Sequence, residues 1–374
     1  MRLKISSQTL LSMVKRIMGV VPNRPALPIL NHFLLECQNH QVTLSAGWGT
    51  TLSTFAQEHI EEEGAVALPA RHFFELIREL RSPDIEIIKV GEGDINITSG
   101  SSQFHIKGVQ ASEFPPIGNL TGAPSLSLSA SLLKSLFSRV SFAAAKEESR
   151  QVLNGVLMQL TPDQITLTAT DGKRLARTQH PLKCDIPHVY DYLIPLKAVE
   201  EAIKIADGEE NISLHLLTDQ MALKTEDTLL MTQLMAGSYP QVDRVIPEPL
   251  EHPIHLHCEE LMSLLKQVSL FTQDRQQAVL FTFKPHELLL TSGTRDIGEG
   301  RVHLPVNYEG PEVTLAFNPL FFYDILRHCQ DESVPFSFTS PHHPGLITDS
   351  SHSLFVIMPM RLPSLDDTPK NHPS

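Results

Sequence analysis

The 374-residue chain is too long for one ordinary core of about 100–150 residues, so two or three domains are expected. With 41% hydrophobic and 20% charged residues and no apolar run of about 18, its composition is that of a soluble globular protein without a membrane span. A net charge of −13 excludes a broad basic surface; an acidic shell around a local basic lining would keep nucleic acid off the outside and tolerate it within.

The chain opens without the apolar core of a signal peptide, which points to the cytoplasm. Leu3-Lys4-Ile5 predicts a strand, and the spacing of Leu10, Leu11, Val14, Ile17 and Met18 predicts a helix with one apolar face. Val42-Thr43-Leu44-Ser45-Ala46-Gly47 alternates like a half-buried strand ending in a turn. Pro69-Ala70-Arg71 opens a second helix through Phe73, Phe74, Leu76, Ile77 and Leu80, since proline is tolerated in a helix's first turn. Phe104-His105-Ile106 is a closing strand ahead of Phe114-Pro115.

The same four features then return in the same order. Leu126-Ser127-Leu128 leads into Leu132, Leu133, Leu136, Phe137 and Val140, and the strand from Ile165 ends at Asp171-Gly172, a hairpin signal. Pro195-Leu196-Lys197 leads into Val199, Ala202, Ile203 and Ile205, and Leu234-Met235 precedes Tyr239-Pro240. The third copy runs from Ile254-His255-Leu256 and its helix residues Leu261, Leu264, Leu265 and Val268, through Leu288-Leu289-Leu290-Thr291-Ser292-Gly293. It continues with Asn318-Pro319 before Phe321, Phe322, Ile325 and Leu326, and ends with Phe355-Val356-Ile357-Met358-Pro359. Four features repeated in order three times predict an α+β chain of three tandem sheet-rich domains with two helices each. Their expected bounds are 1–123, 124–251 and 252–362, with a disordered tail over 363–374.

Enzyme signatures are missing: the sequence has no Walker loop, dinucleotide fingerprint or nucleophile elbow. Asp171 has no obvious acidic partner, and Gly91-Glu92-Gly93 is too short to hold a phosphate. Cys37, Cys184, Cys258 and Cys329 form no Cys-x-x-Cys pair and read as reduced thiols. His252, His255, His257 and Cys258 form the best metal-like cluster, but a solvent-facing pair at His255 and His257 is the plainer reading. Scattered cations mark the polar faces of the predicted helices: Lys15, Arg16, Arg78, Arg81, Lys134, Arg139, Lys197, Lys204, Lys266 and Arg327.

Arg24-Pro25-Ala26-Leu27-Pro28-Ile29-Leu30, Leu68-Pro69-Ala70-Arg71-His72-Phe73-Phe74, Leu153-Asn154-Gly155 and the run from Thr168 to Ala176 resemble the bacterial beta-clamp family. So do Tyr239-Pro240, Arg244-Val245-Ile246-Pro247 and the run from Val356 to Leu362, which extends the resemblance over essentially the whole chain. It implies a head-to-tail homodimer forming a six-domain ring around double-stranded DNA, bound without regard to sequence. It implies no cofactor, metal or catalytic residue. Implied partners are the DNA polymerase III catalytic subunit, the clamp loader, and other polymerases and repair factors that dock short peptides.

Carried onto this chain, the resemblance gives Arg24, Arg71 and Lys197 as DNA contacts, with Arg78 on the same helix as Arg71. It gives a peptide groove of Leu153, Thr170, Gly172, Arg174, Leu175, Pro240, Arg244, Val245, Val356, Ile357, Met358 and Met360. Phe104 and Ile106 against Leu270 and Phe271 would close the dimer; from the residues alone, all four are equally ordinary core positions. Three places depart from the family pattern: Gln151-Val152, where relatives carry aromatic residues; the continuation over 363–374, past the point where the family usually ends; and Trp48 between Gly47 and Gly49, where that turn is often acidic. The rival reading is a scaffold that binds proteins without encircling DNA.

Overall fold

The structure, a computed structural model, describes all residues except 119, 121–124, 147–149, 184–188, 273–277, 295–297 and 362–374. Cys184 and the tail expected to be disordered lie outside the described residues.

Six helices of ten to twelve residues occupy the expected places: α1 (Ser7–Ile17), α2 (Ala70–Glu79), α3 (Ala130–Ser141), α4 (Leu196–Ile205), α5 (Cys258–Ser269) and α6 (Pro319–His328). In α1 the hydroxyl of Ser6 accepts the Thr9 amide at 3.0 Å, and Leu10, Met13, Val14 and Ile17 form the buried face. Pro69 and Pro195 sit one place earlier than the first turn, at the N-cap; Pro319 alone of the three lies inside its helix, behind an Asn318 cap. Leu234 and Met235 fall just past the strand Thr228–Gln233, rather than closing it.

The chain forms two compact units, which divide it differently from the threefold repeat. The first contains Met1–Ser135 and Ile194–Met235; the second contains Leu136–Leu193 and Ala236–Ser374. Sheet continuity is the cause. In the first unit, Thr228–Gln233 pairs antiparallel with Thr50–Gln57, with Leu230 opposite Leu52, and this joins strands of the first and second repeats into one eight-stranded sheet. In the second unit, Arg174–Pro181 pairs with Ser353–Ile357 and joins strands of the second and third repeats in the same way. Each unit has a further smaller sheet, of five strands in the first and four in the second.

The second unit's core includes a phenylalanine cluster. Phe281 stacks on Phe322 at 4.7 Å between centroids, and Phe317 meets Phe322 edge-on at 5.0 Å. Arg139, expected on a polar helix face, is instead 8% exposed. It donates to Ser353 Oγ at 3.1 Å and lies 3.9 Å from the Asp349 carboxylate, because its place on α3 falls on the side of Leu136 and Val140. His255 and His257 are both exposed on one strand face, as their spacing suggests, and His257 caps α5 by accepting the Glu260 amide.

Candidate functional site

The second unit carries the residues expected to bind peptides. Leu175, Val356 and Leu346 sit directly opposite one another on three adjacent strands, Arg174–Pro181, Ser353–Ile357 and Gly345–Thr348. Cross-strand neighbours share a face, so the three form one apolar row. Val242, from the short helical turn Val242–Val245, packs on it, with Tyr239, Ile246 and Leu354 at the margin. Burial holds the Tyr239 phenol well above its usual range. Around this floor Gly172, Pro240 and Arg244 are exposed, and the apolar Val245 and Met358 remain 48% and 40% accessible.

The hairpin beside the floor is set by Thr170 and Asp171. The Asp171 carboxylate accepts the Lys173 and Arg174 amides at 2.9 Å each, while Thr170 Oγ1 accepts the Gly172 amide at 3.0 Å. Gly172 has φ +82°, which suits glycine.

Alternation along the strand separates two arginines. Arg174 faces away from Leu175, toward α6, and Ile357 opposite it is fully buried on that same side. The Arg174 guanidinium donates to Asp324 at 2.5 Å, to Asp171 at 3.1 Å and to the Phe142 carbonyl at 2.7 Å, and it lies over the rings of Phe142 and Phe321. Arg174 and Ile357 therefore lie on the sheet face opposite Leu175. The arginine on that face is Arg177, two residues on. It donates to Thr168 Oγ1 at 3.3 Å and to Asp243 at 2.7 Å, tying the turn that holds Val242 to the sheet. Counting by two from Leu175 would have found it.

Leu153 is buried, at 1% exposure, and its carbonyl accepts the Ala145 amide. Met358 donates its amide to Lys173 O, and the partly buried Met360 donates to Ala316 O, fastening the last described segment. Val152, one of the departures, packs where a Cβ on Gly237 would come within 2.8 Å of it. Beside Arg174, His328 stacks on Phe142 at 4.4 Å, and burial lowers its pKa. A depressed folded value means the native state resists protonation. Stability is thus full above about 6.5, the unfolded value, and is lost as the pH falls through the lower folded value. Replacing His328→Gln is expected to flatten that acid-side decline in urea midpoints measured from pH 7 to 5.

In the first unit, Arg71 and Lys197 line one hollow of about 630 Å³ together with Trp48. Arg71 is held by Asn23 and Lys197 by Glu201, the latter at 3.0 Å. Arg24 is exposed one residue past Asn23. Arg78 lies two turns, roughly 10 Å, beyond Arg71 on α2 and outside the hollow, beside Glu79 and the Phe74 ring. Several of the other expected cations are matched by acids: Arg16 by Asp227, Lys134 by Asp207, and Lys204 by Glu201.

Phe104 and Ile106 lie on the edge strand Ser102–Ile106 of the five-stranded sheet; Phe104 is half-buried and Ile106 is core at 4% exposure. Leu270, just after α5, is 74% exposed. Phe271 packs over Gly300, on the edge strand Gly298–Pro305 of the four-stranded sheet.

Comparison with known proteins decides what these surfaces belong to. Family profiles for the DNA polymerase III beta subunit match three consecutive stretches: the N-terminal domain over 1–120, the central domain over 127–241 and the C-terminal domain over 243–361. The beta sliding clamp of Chlamydia muridarum is 41% identical, over 97% of this chain and 99% of that one. The chain belongs to the DNA polymerase III beta subunit family. Its fold is that family's three-domain, sheet-rich clamp fold, and its function is that of a processivity clamp. Among solved beta subunits, a sliding clamp from Bartonella birtlesii bound to griselimycin is similar at 27% identity and a TM-score of 0.92, covering 97% of this chain and all of that one. The beta subunit from Thermotoga maritima is similar at 26% identity and a TM-score of 0.89, with the same coverage.

Proposed function

We propose that two copies of this clamp close head to tail around duplex DNA in the cytoplasm, catalyse no reaction, and tether the polymerase III catalytic subunit, the clamp loader and repair factors through short peptides. The accessible Val245 and Met358 carry the peptide reading: backed by the buried Leu175–Val356–Leu346 row, 2–3% exposed beneath Val242, they offer apolar surface that suits an extended peptide with aliphatic or aromatic anchors. The contacts proposed for DNA are Arg24, Arg71, Arg78 and Lys197. Acid partners at Arg78 and Lys197 keep the local field weak, which favours guidance over grip. The two open sheet edges, with exposed Leu270 beside one of them, supply the proposed closing contact.

The test is to load the protein onto nicked circular DNA with a clamp loader and then linearise the circle. Release on cutting is expected. Retention after cutting would favour the scaffold reading, and so would tight binding to free linear duplex at physiological salt. The groove has its own test. Val245→Asp with Met358→Asp touches exposed side chains, so folding is expected to persist while affinity for a labelled clamp-binding peptide falls about tenfold or more. Unchanged anisotropy titrations would move docking to another surface.

A further inference from the structure

Trp48 is the chain's single tryptophan and is 63% exposed. Leaving a large aromatic ring in water forgoes the burial such residues usually obtain. The turn holds it there. Gly47 and Gly49 both have positive φ, at +103° and +74°, and a Cβ on Gly47 would sit 2.2 Å from the Thr50 carbonyl oxygen. Trp48 pairs with Thr50 across the hairpin, and Thr50 Oγ1 is hydrogen-bonded to Thr232 Oγ1 at 2.9 Å. The indole is therefore presented on a constrained support.

The hollow it lines has an apolar side from Met18, Val20, Val21 and Pro22, with Arg71 and Lys197 as its cations. An aromatic face, an apolar wall and two cations match a base with its phosphates. The length of a duplex offers phosphates but no free base faces, since each base is stacked on its neighbours. An unpaired strand offers both. We propose that the Trp48 hollow binds single-stranded DNA, stacking an unpaired base on the indole while Arg71 and Lys197 contact the flanking phosphates. The inference rests on those two cations facing DNA, as proposed above, and adds a preference for the unpaired strand next to a duplex.

Because Trp48 is the sole tryptophan, its emission reports on this site alone. Titration with a short oligo-dT is expected to quench it saturably and less well as salt rises, whereas a blunt duplex with the same number of phosphates, met by the same cations but with no base on the indole, quenches it much less. By anisotropy of labelled oligo-dT, Trp48→Ala is expected to weaken binding about tenfold, and Trp48→Phe to retain most of it. Three results would each overturn the inference: no quenching by oligo-dT, equal quenching by blunt duplex, or undiminished oligo-dT binding by Trp48→Ala. Retention of the unaltered protein on circular duplex, measured on the same preparation, tells failure of this site from failure of the ring.

Discussion

A protein carrying Leu270→Asp is expected to run as a monomer of about its chain mass, 41.7 kDa, and to be lost from circular DNA before any cut is made. Leu270 is 74% exposed, and its amide satisfies the last turn of α5 by donating to Gln267 O, which the substitution leaves in place. The only folding cost expected is that of a carboxylate at the C-terminal end of α5, about 0.3–1 kcal/mol. At a closing contact the same change would bury a carboxylate without a partner, at a cost of roughly 3–5 kcal/mol. A head-to-tail ring of two copies contains the contact twice, so the penalty also applies twice. Light scattering gives the mass, and a urea midpoint lowered only slightly shows that the fold survives. A dimer that persists would put the contact elsewhere. Phe104→Asp makes the complementary change on the other edge, where the half-buried ring leaves room for a smaller folding cost than at Ile106.

The threefold architecture was legible because it rests on periodicity. Alternating strands and helices with apolar residues three and four apart write the same signal three times, and all six helices lie where that signal puts them. The partition into compact units was not legible. It depends on which strand edges meet, as Thr228–Gln233 meets Thr50–Gln57, and edge pairing leaves no local trace in either strand. The floor of the candidate groove was half legible. Leu175 and Val356 were named, but Leu346 and Val242 lie far from both in sequence and join them only through strand register and a linker turn. Arg174 and Ile357, named with them, stand on the opposite face of the sheet, as the strand's period of two requires. Trp48 was visible as an oddity, but its meaning needed Arg71 and Lys197 beside it, and those come from two different helices.

Arg174 offers the clearest way to separate support from recognition. Its side chain is 11% exposed and is shared among two carboxylates, a carbonyl and two aromatic rings. Arg174→Ala removes the cation that Asp324 and Asp171 share and leaves the Phe142 carbonyl without that donor. Removing one partner from such a set costs more than the set contributes, because the remaining groups keep their desolvation. The Asp324 carboxylate is 39% exposed and recovers part of this by hydration, so the expected loss is about 2–4 kcal/mol, at the lower side of fully buried pairs. Urea unfolding is the measurement. Peptide affinity per folded molecule is expected to stay within about twofold, since the arginine faces away from Leu175. Arg177→Ala should divide the other way: its Asp243 partner is 79% exposed, so stability changes little, while release of the turn carrying Val242 weakens peptide binding. If Arg174→Ala instead left the urea midpoint unchanged and abolished peptide binding, the guanidinium would belong to the recognition surface.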